Sequence, residues 1–599
     1  MKHEQSSISS QQEFDVVVVG SGAGAMSTAI FASDKGLSVA VIEKTDQYGG
    51  TSALSGGGIW IPNNDHFRAK GGNDSKALAL EYLQNSTEGE VDITTLDAYL
   101  DNAPKMIRYL EKHTPVRYEV AEKYPDYYPH LSGSLPGGRT LDPELFDTSR
   151  LGDEIHTMRK ASRSTLLMGK IAWTARDAHK AMARERGWRL LLIRRMLRYK
   201  FDFRQRRQGK RDRWAGLGSS LIAALRKGML DRNIPLLLNT ELTDLVVENN
   251  RVVGVQTKQQ GEPLVLKANK AVVLASGGFE QNQELREKYL GAPTKTSWSA
   301  TPKGANAGAG LEAGIRHGAA TNLLDWCWWA PTLSVPNENE SRGVFAERAF
   351  PGAIVVNGLG KRFYNEAAPY LEFGHAMYQD NLETGGKTIP AWVVFDAKFR
   401  FNYAMGPLMP GQIMPDARLP AAWNENLYWK ADTLEELAQR IGIEADGLKE
   451  TVAKMNEFAQ TGVDTDFGRG GNVFDRYYGD LNVKPNPCLA PIGKGPYYAM
   501  KLNAGDIGTK GGLVIDDNAR VLSENNTHIE GLYAIGNCSA SVMGKSYPGA
   551  GSTLGPAMTF GYIAANHIAA NQDAKRDTAG FVTQGASTEA QAEAQAECE

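Results

Sequence analysis

Cysteine is scarce in this sequence. Among 599 residues there are four, Cys327, Cys488, Cys538 and Cys598, and no two are spaced as CxxC. A disulfide framework or thiolate metal site is therefore not expected, and free thiols in a reducing compartment are. The ten histidines form no HxxxH pair on a helical pattern, so no metal is expected. No run approaches the roughly 18 apolar residues of a membrane span. The opening residues, MKHEQSSISSQQEF, are polar and lack the apolar centre of a secretory signal, which points to the cytoplasm. A net charge of −3, with 42% hydrophobic and 23% charged residues, suits a soluble globular protein and gives no global case for nucleic acid. Residues 573–599 are rich in Ala, Gln, Glu and Thr with little to bury, so a disordered tail is expected there and a flexible N-terminus over 1–13.

Glycine, by contrast, is concentrated where it matters. Phe14 to Gly58 reads FDVVVVGSGAGAMSTAIFASDKGLSVAVIEKTDQYGGTSALSGGG. The β-branched run from Val16 to Val19 looks like a buried parallel strand, and it breaks into Gly20, Gly22 and Gly24 with Ala25 before a helical pattern through Asp34. Leu37 to Ile42 reads as a second strand ending at Glu43 and Lys44. Glu43 stands 23 residues beyond Gly20, where an acidic side chain meets a ribose hydroxyl in a dinucleotide fold. Gly20 permits the tight turn, Gly22 lets backbone N–H groups approach a pyrophosphate at the helix N-terminus, and Gly24 or Ala25 allows the helix close to the strand. A second cluster, Gly50, Thr51, Ser52, Ser55, Gly56 and Gly57, suits backbone running close along a flavin. Ala271 to Gly277, with Ala275 and Gly277 as contacts, and Gly531 to Asn537, with Gly536 and Asn537, read as strands returning to the same nucleotide. FAD is the expected cofactor. It is expected to be held non-covalently, since the flavin-proximal turns offer no His or Cys placed for a covalent link.

The pattern predicts an α/β protein: a Rossmann-like, glutathione-reductase-type FAD-binding domain in two parts, 14–327 and 497–572, with an inserted α+β substrate domain over 328–496. Helices are expected from Ser75 to Gln84, Leu96 to His113 and Gly216 to Arg232. A meander is expected from Glu241 to Thr257, and a closing helix from Thr553 to His567. Tyr124, Tyr127, Tyr128 and Pro129 form an aromatic loop. Residues 184–213 carry 13 Lys and Arg against Glu185, Asp202 and Asp212, a net +10. Trp188, the apolar run Leu190 to Ile193, Phe201 and Phe203 are interleaved with those charges. The block reads either as a helix lying on an anionic membrane surface or as a solvated insertion whose apolar face packs on its own domain.

With these pieces in order, the chain resembles the fumarate reductase-like flavoproteins, and within them the 3-ketosteroid Δ1-dehydrogenases. The most specific parts are RAFPGAIVVNGLGKRFYNEAAPY from Arg348, GDIGTKGGLVID from Gly505 and SYPGAGSTLGPAMTFGY from Ser546. The resemblance implies oxidation of the C1–C2 bond of a 3-oxosteroid, with a hydride passing to the flavin and then to an unidentified electron acceptor. It implies that Tyr547 and the N–H of Gly551 bind the C3 oxygen, and that Tyr370 removes the C2 proton. A third tyrosine assists that base, Tyr127 or its neighbour Tyr128. Phe345 and Phe350, with Tyr128, are the candidate substrate contacts. Ser552 and Leu554, at the helix start after the glycine turn, are expected to favour negative charge on reduced flavin. One departure is Asn306-Ala307-Gly308-Ala309-Gly310, where many relatives carry TGDG, and Glu312 does not obviously replace the missing acid.

Three rival functions stand beside this reading. A fumarate or enoate reductase would need Arg and His in the pocket, whereas the inserted domain opens on Trp326, Trp328 and Trp329 and has only His375 among histidines. A Δ4-(5α)-dehydrogenase carries a serine two residues after its tyrosine, where this chain has Gly549. A non-catalytic flavin-binding sensor would not need both tyrosines.

Overall fold

The computed structural model describes residues 11–570, so the expected tail over 573–599 and the start of the flexible N-terminus lie outside the described residues. Residues 11–13 are not loop. They begin strand β1 (Gln11–Val19), which pairs in parallel with Glu262–Leu274 from Gln11 onward. Val16, Val17 and Val18 are fully buried, and the same stretch pairs on its other side with β2 (Val39–Ile42). A strand covered on both faces and both edges needs no polar alternation, which is why it reads as one β-branched run.

The nucleotide sheet has eight strands. Its order is Arg520–Leu522, His528–Ala534, Arg251–Gln259, Glu262–Leu274, β1, β2 and Leu236–Leu237, with Thr240–Glu248 paired to Arg251–Gln259. Helix α1 (Ala23–Ser33) follows β1 and is buried along nearly its whole length. A Cβ on Gly24 would meet Ala557 at 3.1–3.3 Å, so this glycine admits the closing helix 554–570, not the strand expected from the sequence.

A second sheet has six strands, with Tyr497–Thr509 through its centre, and three smaller sheets of two or three strands lie beside the two large ones. Tyr497–Thr509 pairs antiparallel with Cys327–Leu333, Ala391–Phe395 and Tyr428–Ala431. The sequence reading sends the chain back to the nucleotide sheet at Tyr497, but the return comes only at Arg520–Leu522. Burial explains the difference. The strand is covered along most of its length, and a covered strand has the same apolar texture in either sheet.

Helices Lys76–Ser86, Ile93–His113 and Leu217–Leu230 match the expected periodicity, the second running straight through Pro104. The basic block folds as helices Trp188–Lys200 and Phe203–Gln208. Their orientation is unusual. Leu190, Ile193, Leu197 and Phe201 recur at helical spacing, yet they are 70%, 47%, 47% and 56% exposed. The inward face is held by polar groups: Arg195 pairs with Asp177, and Arg198 donates to the Ala172 carbonyl. The apolar stripe therefore does not pack on its own domain.

Candidate active site

One continuous cavity of about 440 Å³ runs from the β1–α1 turn to a cluster of tyrosines. At its nucleotide end the wall is mostly backbone. Gly20 turns with φ +108°, and a Cβ there would stand 2.4 Å from the Ala275 carbonyl oxygen. Gly22 caps α1 without a side chain in the way, and the Ala23 N–H points to Ser52 Oγ at 3.1 Å. Glu43 is held by Ser21 Oγ at 2.6 Å and Thr45 Oγ1 at 3.0 Å, with its carboxylate at the end of β2. Lys44, Gly50, Thr51, Ser52, Ser55, Gly56 and Gly57 continue the wall, as do Gly24, Ala25, Ala275, Gly277, Gly536, Asn537 and Leu554. Gly57 would carry its Cβ into the backbone of Leu217 and Gly218, so the close run along the cavity needs glycine there. These features suit FAD: an acidic ribose partner, a helix N-terminus free of side chains and a glycine-lined path for a flat ring.

Asn306 opens the stretch that lacks the acid, and the acid's place between Gly308 and Gly310 is taken by Ala309. Asn306 Nδ2 donates to Thr51 Oγ1 at 2.7 Å and to Glu280 Oε1 at 2.5 Å, and the residue lines the cavity. Behind Asn306 stands the fully buried Glu280, which burial raises to about 7.

At the far end three segments meet. Tyr127 comes from the aromatic loop, Tyr370 from the first turn of the helix Tyr370–Glu383, and Tyr547 with Gly551 from the turn before the closing helix. Tyr370 and Tyr547 lie edge to face with ring centres 5.2 Å apart, and Tyr127 is 5.9 Å from the first and 5.1 Å from the second. Desolvation raises the Tyr370 phenol well above its ordinary value, while a hydrogen bond from Tyr127 works the other way. Burial also raises Tyr547, opposed by hydrogen bonds from Thr553, Tyr370 and the Gly551 N–H. The Gly551 N–H thus lies near enough to the Tyr547 hydroxyl to affect its ionisation. With φ +101° and a would-be Cβ 2.4 Å from the Ile59 backbone, position 551 admits only glycine without rearrangement.

Three predicted contacts lie off the cavity wall. Phe350 is 3% exposed and stacks on Tyr403 inside the second domain, leaving Phe345, 4.8 Å from the Tyr370 ring, as the aromatic on the wall. Tyr128 turns away, donating to Glu372 and accepting from the Tyr547 N–H. Ser552 spends its hydroxyl on Gly549. Conversely, Tyr124 and Tyr478 line the cavity without having been singled out for chemistry, their hydroxyls 2.5 Å apart and Tyr124 a further 3.2 Å from Tyr127. The adjacent tyrosines 477 and 478 were the available signal. Asp142, Arg159 and Thr165 also line it, and burial lifts Asp142 to about 7.

At the rival's serine position, a Cβ on Gly549 would approach the Trp60 ring to 2.5 Å. Trp60 is fully buried and donates to Asp126 at 2.8 Å, so a larger residue has no room.

Comparison with known proteins places this geometry. Residues 15–554 match the family described as FAD binding domain. A 3-oxosteroid 1-dehydrogenase of Mycobacterium tuberculosis is 43% identical over 94% of this chain and 100% of its own length. The counterpart from Comamonas testosteroni is 41% identical, covering 92% and 96%. Among solved structures, the 3-ketosteroid delta1-dehydrogenase from Sterolibacterium denitrificans, crystallised with 1,4-androstadiene-3,17-dione, is 55% identical, with a TM-score of 0.91 over 94% of this chain and all of that one.

Proposed function

The chain belongs to the FAD-dependent 3-oxosteroid 1-dehydrogenases, and on that premise we propose how its own residues carry the reaction. The observation that carries the reading is the edge-to-face pair of Tyr370 and Tyr547 at the end of the cavity that begins at Gly20. Tyr547 and the Gly551 N–H receive the C3 oxygen of the steroid. Two donors fixed where enolate charge develops lower the barrier to C2 deprotonation more than they stabilise the ketone. Tyr370 takes the C2 proton. An unassisted phenol, with a pKa of about 10, would forfeit about 4 kcal/mol acting as a base at neutral pH. Tyr127 reduces that cost by donating to the nascent phenolate, and the hydroxyls of Tyr124 and Tyr478 extend the line along which the proton leaves. FAD held along Gly20, Gly22, Glu43 and Gly57 would supply the oxidant for the C1 hydride. Phe345 closes the wall over the ring being oxidised. The test is anaerobic mixing with androst-4-ene-3,17-dione: flavin absorbance should bleach in one turnover, and an unbleached flavin rejects the reading.

An anionic membrane surface is the partner that the helix Trp188–Lys200 supports best. Among the described residues no helix is long and apolar enough to cross a membrane, but this one presents an exposed apolar stripe within a strongly basic block. Each Lys or Arg near an anionic surface adds about 1 kcal/mol of attraction, and the outward leucines supply insertion. The helix Ala175–Met182, just before the block, reaches the cavity: Ala175 lines it, His179 stacks on Tyr477 at 3.9 Å, and Tyr477 stacks on Tyr124 at 4.5 Å. A steroid partitioned into the bilayer would thus be drawn near the site. Sedimentation with anionic liposomes at low salt, partly reversed by high salt and lost on deleting Trp188 to Arg213, is expected. Protein that stays in the supernatant at low salt rejects the membrane partner.

A further inference from the structure

The turn that carries Tyr547 belongs to no strand or helix, so its position depends on whatever its backbone touches. Three of its backbone groups are met by residues from elsewhere. Ser546 O accepts from Lys510 Nζ at 2.6 Å, and the Tyr547 N–H donates to the Tyr128 hydroxyl at 2.8 Å. Pro548 O accepts from the Tyr82 hydroxyl at 2.6 Å and from the Tyr127 N–H at 2.9 Å. Two of these holders, Tyr128 and Lys510, lead to ionisable groups that the proposed reaction does not use. The Tyr128 hydroxyl donates in turn to Glu372 Oε1, while Glu372 Oε2 is sealed from solvent without a hydrogen-bond partner among the described residues. Lys510 is fully buried, its Nζ lying 3.5 Å above the Trp328 ring, and burial pulls its pKa well below the usual lysine value.

Glu372 stands two residues beyond Tyr370, in the first turn of the same helix. Through one phenol it therefore ties the helix bearing the base to the turn bearing the ketone-binding tyrosine. The groups served by Tyr370 and Tyr547 are attached to neighbouring carbons of a single ring, so the separation of the two hydroxyls is a tight constraint. A displacement near 1 Å in such a pair costs on the order of 10²-fold in rate.

We propose that Glu372, acting through Tyr128, is a positioning residue that sets the distance between the Tyr370 and Tyr547 hydroxyls, with Lys510 holding the same turn from its other side. This rests on the assignment of Tyr370 and Tyr547 made above. As a carboxylate, Glu372 accepts the Tyr128 O–H and leaves the phenol oxygen facing the Tyr547 N–H. Once protonated it becomes a competing donor to that oxygen, and the tie to Tyr547 loosens. The groups facing Glu372 are Tyr128, Lys510, Arg348, Tyr82 and Tyr364. Burial dominates over the nearby cations and raises the carboxyl to about 7, so the change of role falls within the working pH range. A carboxyl present merely to fill space would be insensitive to that change.

The experiment uses the FAD-loaded enzyme with androst-4-ene-3,17-dione as the substrate, comparing wild type with Glu372→Gln, Tyr128→Phe and the double variant. All should keep the oxidised flavin spectrum. Tyr128→Phe should lower kcat on the order of 10²-fold while KM changes little, because the misplaced donor matters most when enolate charge has formed. The double variant should lose no more than Tyr128→Phe alone, since both act through one connection. Wild-type kcat should fall as pH drops through about 7, and Glu372→Gln should abolish that fall. Additive losses, a near-normal kcat in Tyr128→Phe, or an unchanged acid limb in Glu372→Gln would each overturn the proposal. Should Tyr128→Phe fail to retain FAD, the pH profile of Glu372→Gln decides alone. A wild-type enzyme whose flavin the steroid does not bleach overturns the reading beneath it as well, and is distinguished by needing no variant.

Discussion

At the Gly20 end of the cavity the contacts are largely backbone, and most come from one stretch between β1 and Gly57. At the Tyr547 end they are side chains from segments hundreds of residues apart: Tyr127, Tyr370, Tyr478 and Tyr547. The first end is specified by what must be absent, a Cβ. The second is specified by what must be present, a hydroxyl at a fixed distance from another. Substitutions should therefore fail differently at the two ends. At Gly20 and Gly57 an added carbon collides with backbone, whereas at the second end the ring can stay and only the oxygen matters.

The sharpest break in this comparison is Gly20→Ala. Its methyl would stand 2.4 Å from the Ala275 carbonyl, on a backbone of positive φ, so FAD retention itself should be lost. Purified variant should be colourless by the ratio of flavin to protein absorbance, whereas acid precipitation of wild type should release yellow cofactor into the supernatant. A yellow Gly20→Ala protein would dissolve the distinction between the two ends.

Next in size is the removal of single hydroxyls. Tyr370→Phe should lose the general-base contribution, about 10²–10⁴-fold in kcat, with FAD and steroid binding retained. Tyr547→Phe should cost about 2.7–4 kcal/mol of barrier and weaken steroid binding too, since its donor serves ketone and enolate alike. Rapid-mixing flavin reduction together with a steroid titration separates the two. Near-normal turnover in Tyr370→Phe removes it from the chemistry.

How much of this was legible follows the same division. The nucleotide end could be read because turn, helix start and acidic strand end are consecutive, and each residue type has a local reason. Tyr370 and Tyr547 came from resemblance, since nothing local distinguishes a catalytic tyrosine from a packing one. Tyr478 was missed because its partner Tyr124 lies 354 residues away, a pairing that only the folded chain creates. Phe350 and Phe345 sit five residues apart on a bend, and which one faces the cavity is decided by Tyr403, beyond the reach of any pattern. The strand Tyr497–Thr509 was assigned to the wrong sheet for a related reason, since burial marks a strand as central without naming its neighbours.

The smallest predicted effect tests that distant partnership. Tyr478→Phe removes a hydroxyl from the end of the line behind Tyr127, leaving the base and both ketone donors in place. A loss of about tenfold or less in kcat is expected, with a larger solvent deuterium isotope effect as proton departure becomes limiting. An unchanged isotope effect would shorten the line to Tyr370 and Tyr127.

The contact between position 549 and Trp60 bears on how such enzymes diverge. With the indole fixed against Asp126, a serine at 549 has no viable conformation while Trp60 remains, and shrinking Trp60 first leaves a hole in the buried core. Each single step is thus deleterious before the pair is complete. Positions 60 and 549 can therefore change only together, and a chain that has filled the first with tryptophan has given up side-chain variation at the second.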